Sequence, residues 1–176
     1  VNDSLPDVSD NASIGDFNND GKNDVFLNGW NGGEDGTWPN YYEIFTRSIS
    51  ANLGNIQFGS PVNLAIPIVI NGNGEMSSSW CDIDGDRDID LSVSGYYNNE
   101  SNTYILENIG DSLVLFNNSP MINVSGVSEF GDFNSDSKPD LIIGSNLYRN
   151  DGDGYFTLVS DEVMLNSNAD YTSLGD

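Results

Sequence analysis

Three nine-residue segments of one pattern are spread along this chain: Asp16-Phe-Asn-Asn-Asp-Gly-Lys-Asn-Asp24, Asp82-Ile-Asp-Gly-Asp-Arg-Asp-Ile-Asp90 and Asp132-Phe-Asn-Ser-Asp-Ser-Lys-Pro-Asp140. Each carries oxygen side chains at positions one, three, five and nine, the spacing with which a tight loop wraps carboxylates around a hard cation such as Ca2+. The helix-flanked calcium loop begins in the same way but needs a bidentate Glu at position twelve. Here position twelve is Leu27, Val93 or Ile143. Those residues belong to short apolar or β-branched runs, Val25-Phe-Leu27, Leu91-Ser-Val93 and Leu141-Ile-Ile143, closed by Gly29, Gly95 and Gly144. Such runs read as strands, so the ninth Asp closes a cage and a strand begins next to it.

The loop sits inside a longer unit. A short segment precedes each copy (Ala12–Gly15, Ser78–Cys81, Val127–Gly131), and an aromatic-bearing segment follows the apolar strand (Tyr42–Thr46, Thr103–Leu106, Asn146–Arg149). After a second Asn/Gly turn comes a last segment: Ile56–Phe58, Leu113–Phe116 or Tyr155–Leu158. Four short strands joined by Gly, Asn and Asp turns make one antiparallel sheet. The chain is therefore expected to be all-β, with no sustained helical period anywhere. A lone four-stranded sheet cannot bury both faces, so the units are expected to pack face to face as β-propeller blades. Blade one spans about 12–64, blade two about 76–119 and blade three about 126–163, with a further repeat starting at 170–176. Residues 1–176 then form a single repeat domain. The first Asp recurs after 66 and then 50 residues, a difference taken up by loop insertions. Three blades are too few to close a ring, which needs four to eight. The ring is expected to be completed by further copies of the chain or by the remainder of a longer one.

With these segments in view, the chain resembles the FG-GAP or VCBS-type repeats of integrin-α-like β-propellers. The matching pieces are Gly15-Asp16 to Leu27, Asp82 to Leu91, Gly131-Asp132 to Ile143 and Tyr148-Arg-Asn-Asp-Gly-Asp-Gly-Tyr-Phe156. The resemblance implies that the loop joins a blade's first two strands and binds Ca2+ through side chains at positions one, three, five and nine and a backbone carbonyl at seven. Up to three Ca2+ would be held. The ligands would be Asp16, Asn18, Asp20, Lys22 and Asp24; Asp82, Asp84, Asp86, Asp88 and Asp90; and Asp132, Asn134, Asp136, Lys138 and Asp140. Lys22, Asp88 and Lys138 would contribute carbonyls. Position six departs from the pattern, with Arg87 and Ser137 where the first loop has Gly21. If the backbone there takes a positive φ, those two cages are strained. Loop two offsets this with four carboxylates.

Charge separates the functional classes. The chain has 5 Lys and Arg against 28 Asp and Glu, a net charge of −23 with no His. That excess repels nucleic acid and anionic membranes. Eleven of the acids lie in the three loops, where a cation would relieve their repulsion. No apolar run approaches the roughly 20 residues of a membrane-spanning helix. The single cysteine, Cys81, stands where the other repeats have Gly15 and Gly131, and reads as a small buried strand residue. Oxygen cages that fill in millimolar calcium point to an extracellular or cell-surface location. Sequons at Asn11, Asn99, Asn117 and Asn123 would carry glycans only in a eukaryotic host.

Catalysis has little support: there is no His, nucleophile elbow, zinc-protease signature or phosphate loop, and although two carboxylates could flank a glycosidic bond, no particular pair stands out among so many acids. Binding is the expected task, with function in the connections between strands. Trp30, Trp38, Tyr96 and Tyr97 are the candidate contacts for a carbohydrate or protein ligand. The resemblance implies adhesion receptors, surface lectins and non-catalytic appendages of secreted polysaccharide-degrading enzymes. A subunit of an extracellular ring or filament, built by self-assembly, is the second expectation.

Overall fold

A computed structural model describes residues 11–30, 40–45, 47–49, 56–58, 62–63, 77–97, 100–110, 112–116 and 122–160, and every regular element among them is a β-strand. Strands β1 (Asn11–Gly15), β2 (Asp24–Trp30) and β3 (Asn40–Phe45) form an antiparallel meander. The insertion that follows makes its own hairpin from β4 (Arg47–Ile49) and β5 (Ile56–Phe58), and β6 (Val62–Asn63) returns to the edge of β3. Sheet one is therefore β1-β2-β3-β6. Sheet two is β7 (Ser77–Cys81), β8 (Asp90–Tyr97), β9 (Glu100–Asn108) and β10 (Leu113–Leu115) in sequential order. Sheet three is β11 (Ser128–Gly131), β12 (Asp140–Ile143), β13 (Asn146–Gly152) and β14 (Tyr155–Ser160). No described helix is long and apolar enough to cross a membrane.

The expected strand plan holds in sheets two and three. In sheet one, Ile56–Phe58 is not the fourth strand. It pairs instead with Arg47–Ile49, in a separate two-stranded sheet. Val62 and Asn63 take the edge, opposite Ile44 and Glu43.

Registers repeat at the loop. The ninth Asp of each loop is the first residue of its strand and lies opposite the residue before the loop's first Asp: Gly15↔Asp24, Cys81↔Asp90 and Gly131↔Asp140. Side chains alternate across a sheet, so this register places Ile14, Trp80 and Phe130 at equivalent positions, one residue earlier and on the opposite face.

Sheet two is buried on both faces. Leu91, Val93, Leu106 and Leu113, with Trp80 and Tyr104, share a core with Phe17 and Phe26 of sheet one. Trp80 is the hinge of this junction, its ring centroid 6.1 Å from Phe17 and 6.0 Å from Phe26, the second pair edge-on, an orientation aromatic quadrupoles favour. The opposite face sends Ile83, Ile105 and Phe116 into a second core with Phe130, Leu141, Ile143, Tyr148 and Phe156 of sheet three. The alternation Leu91-Ser-Val-Ser94 explains the division, because the aliphatics face one core and the serines the other.

Those serines are fully buried and hydrogen-bonded. Ser92 Oγ lies 3.2 Å from Ser128 Oγ, and Ser94 pairs with Thr103, whose hydroxyl reaches the Val124 carbonyl at 2.7 Å. First strands are joined in the same way. Ser78 Oγ bonds Asn11 Oδ1 (2.5 Å) and Ser13 Oγ (2.8 Å), and Ser77 Oγ accepts the Ser128 amide at 3.0 Å. Gly154, with φ of 70°, lies flat against the Phe116 ring, and a β-carbon there would overlap that ring.

Candidate cation-binding loops

All three loops fold alike, and the hydrogen bonds explain how. The first Asp turns Oδ2 onto the amide of position six: Gly21 at 2.9 Å, Arg87 at 3.2 Å and Ser137 at 2.9 Å. The third residue accepts the amide of position five (Asn18 3.1 Å, Asp84 3.1 Å, Asn134 2.8 Å), and the fifth that of position seven (Asp20 2.9 Å, Asp86 2.8 Å, Asp136 2.9 Å). Short Asp and Asn side chains favour such contacts with the backbone two residues on. They leave further lone pairs on each oxygen.

To close these turns the backbone goes left-handed twice per loop. Position four does so at Asn19 (φ 53°), Gly85 (85°) and Ser135 (61°), and position six at Gly21 (81°), Arg87 (83°) and Ser137 (67°). Position six does take a positive φ, so Arg87 and Ser137 sit where glycine is the unstrained residue. Position four was not foreseen; its signal is the run of Asn, Gly and Ser there.

The ninth Asp lies deepest and does a different task. Asp24, Asp90 and Asp140 are only 1–2% exposed. Their Oδ2 atoms accept the amide of position two, from Phe17 (3.1 Å), Ile83 (2.8 Å) and Phe133 (3.2 Å). In sheets two and three Oδ1 accepts the amide of Asn108 (2.8 Å) or Asn150 (2.9 Å) on the third strand. This Asp thus ties loop, second strand and third strand together. In sheet one Asp24 Oδ1 is buried and has no partner among the described residues.

Asn108 and Asn150 also link one sheet to the previous one, a role sequence reasoning missed. Asn108 Nδ2 donates to the Phe17 carbonyl (2.9 Å) and Asn150 Nδ2 to the Ile83 carbonyl (3.0 Å), all buried. The readable signal is the triplet Asn-x-Gly, at Asn108–Gly110 and Asn150–Gly152. A further link joins loops one and two, from Asn19 Nδ2 to Asp88 Oδ1 at 2.6 Å.

The loops differ in how open they are to a cation. In loop two, one carboxylate oxygen from each of Asp82, Asp84 and Asp86 lies within 4.8 Å of the others, and these hard oxygen donors fit Ca2+. Burial raises the Asp84 carboxyl above its ordinary range, and nearby Asp86 and Asp82 add to the shift. Burial, opposed by the Asn108 and Ile83 amides and helped by Asp84 and Asp86, pushes Asp90 up to about 7. In loop one the Lys22 ammonium already sits 2.6 Å from Asp20 Oδ2, holding that carboxyl below its ordinary value. In loop three Asn134 Nδ2 faces Asp136 Oδ2 at 3.0 Å, while Lys138 turns away to the Asp151 carbonyl at 3.2 Å.

Of the candidate ligand contacts, Trp30 ends β2 opposite Asn40, and Tyr96 and Tyr97 end β8 opposite Ser101 and Glu100. These three stand on strands, not in free loops, and Trp38 lies outside the described residues. Among the sequons, Asn11 begins β1 and Asn123 is exposed, whereas Asn99 and Asn117 lie outside the described residues. Cys81 is half-buried on β7, and burial lifts its thiol to about 11, so it is an unreactive thiol at neutral pH. No protein-family model matches this chain, and no curated protein matches it.

Proposed function

We propose that the chain is a calcium-stabilised module of β-propeller type from a secreted or cell-surface protein. Its sheets act as blades, and its interblade connections engage a carbohydrate or protein ligand in adhesion. The observation that carries the calcium part is the cluster of Asp82, Asp84 and Asp86 in a loop already shaped by its own amides, with its geometry repeated in two further loops.

Calcium in this reading is architectural. Each cation would neutralise carboxylates whose repulsion otherwise opposes the turn, so binding free energy becomes folding free energy. Loop two, with the most carboxylates and no ammonium in place, is the strongest of the three sites. Ligand contact falls to the strand-end aromatics Trp30, Tyr96 and Tyr97 rather than to the metal.

Calorimetric titration of the chelated protein with Ca2+, paired with thermal melts, tests the calcium reading. The expected result is up to three sites, one tighter than the rest, and a melting temperature many degrees higher in calcium. Superimposed melts in calcium and EDTA would overturn it. A glycan array probed in calcium tests the carbohydrate half separately.

A further inference from the structure

The buried ninth Asp of each loop belongs to a chain of hydrogen bonds that does not stop at its own sheet. Asp24 Oδ2 accepts the Phe17 amide at 3.1 Å, and the Phe17 carbonyl accepts Asn108 Nδ2 at 2.9 Å across the first junction. The Asn108 amide in turn donates to Asp90 Oδ1 at 2.8 Å. One sheet further on the pattern repeats. Asp90 Oδ2 accepts the Ile83 amide at 2.8 Å, the Ile83 carbonyl accepts Asn150 Nδ2 at 3.0 Å, and the Asn150 amide ends on Asp140 Oδ1 at 2.9 Å. Every residue of this relay is at most 3% exposed. Water therefore cannot replace a bond that breaks, and each link holds the next in place.

We propose, resting on the calcium reading above, that the three loops bind Ca2+ cooperatively through this relay, with Asn108 and Asn150 as the positioning residues that carry the coupling. In a cation-free loop the crowded carboxylates repel one another. Opening of that loop displaces its position-two residue, which takes the acceptor away from the next sheet's Asn and so loosens the next ninth Asp. A bound cation holds the loop closed, and part of the ordering cost of the neighbouring cage is then met before its own cation arrives. The effect is reciprocal, as linkage requires.

The first two loops are coupled more tightly than the last two. Asn19 Nδ2 donates to Asp88 Oδ1 at 2.6 Å, a second tie at the exposed rim. Loop two has Gly85 in the place of Asn19, and glycine has no side chain with which to repeat that tie toward loop three. Repulsion between the bound cations acts against the coupling, and physiological salt, with a screening length of about 8 Å, reduces it.

Calcium titration of the chelated full chain at physiological ionic strength, followed by amide NMR, tests the relay. The amides of Gly21, Gly85 and Ser137, each bonded to the first Asp of its loop, report loops one, two and three separately. Asp136→Ala silences loop three and is expected to weaken calcium binding at loop two at least about fivefold. In an Asn150→Ala background the same substitution is expected to leave loop two unmoved, whereas an Asn150 that served only the stability of the junction would leave the dependence intact. Where Asn150→Ala fails to fold, the cycle moves to the first junction. There Asp20→Ala silences loop one, and Asn19→Gly with Asn108→Ala removes both ties to loop two, with the same outcomes expected. A loop two that binds calcium indifferently to its silenced neighbour, or a dependence that survives loss of the Asn links, would overturn the proposal and leave the calcium reading standing. No calcium-dependent shift in any loop would overturn both.

Discussion

Replacing Asn150 by Ala probes the link between sheets two and three directly. The side chain is 1% exposed and makes two bonds: Nδ2 donates to the Ile83 carbonyl at 3.0 Å and Oδ1 accepts the Gly152 amide at 2.9 Å. Each buried bond is worth about 1 kcal/mol net, and a carbonyl left unsatisfied in the interior adds about 1–3 kcal/mol, so the expected loss is about 3 kcal/mol. Asn108 supplies the internal comparison. It makes the equivalent donation to Phe17 at 2.9 Å, but its Oδ1 has no partner among the described residues. Asn108→Ala therefore removes one bond but also removes an unsatisfied buried acceptor, which offsets the carbonyl it leaves unpaired, so its expected cost is only about 1 kcal/mol. In a chain of this size about 3 kcal/mol corresponds to a fall in melting temperature of roughly 6–12 °C. Urea unfolding at saturating calcium, followed by tryptophan fluorescence and circular dichroism, measures both variants. Of the three tryptophans, Trp80 lies at the first junction and Trp30 on β2, and none belongs to sheet three, so Asn150→Ala is also expected to separate the two probes if sheet three detaches first. A loss below about 1 kcal/mol for Asn150→Ala, or equal losses for the two variants, would refute the link.

Further expectations follow from individual residues. Gly154→Ala forces a β-carbon into the Phe116 ring at a left-handed backbone position, and should cost more than about 1 kcal/mol in the same unfolding assay. Asp90 has a folded value of about 7 against an ordinary 3.8. In the chelated protein its contribution is fully present below pH about 4 and is lost as pH rises through about 7. Calcium affinity at loop two is accordingly expected to strengthen over that interval, and a pH-independent affinity in calorimetry would contradict the assignment. The Cys81 thiol, raised to about 11, should resist iodoacetamide in the folded protein at neutral pH and react on unfolding, with mass spectrometry as the readout.

Much of the strand plan is legible from the chain alone. Apolar runs two to four residues long, punctuated by Gly and Asn turns, place β2, β8 and β12 directly after the loops, and the loops themselves announce their turns through Asp and Asn spacing. The first sheet misleads because the segment Ile56–Phe58 carries the same apolar pattern as a fourth strand yet finds a nearer partner in Arg47–Ile49. The ninth Asp is readable as the end of the loop, but its main-chain partners are not. Asn108 lies 18 residues beyond Asp90 whereas Asn150 lies 10 beyond Asp140, since the hairpin between β8 and β9 is the longer one. No fixed spacing advertises the pair, and two asparagines beside glycines look like ordinary turn residues. In Leu91-Ser-Val-Ser94 the Ser92 hydroxyl bonds Ser128 of the neighbouring sheet and the Ser94 hydroxyl bonds Thr103 of its own, which lets both faces be dry.

Both halves of a junction, loop position two and the apolar residue two places ahead of the loop, lie within four residues of each other in every copy, from Ile14 to Phe17, Trp80 to Ile83 and Phe130 to Phe133. Duplicating a single stretch of coding sequence therefore inserts a new unit already fitted to its neighbours on either side. A lineage carrying this architecture can gain or lose units in one genetic event, without compensating substitutions elsewhere.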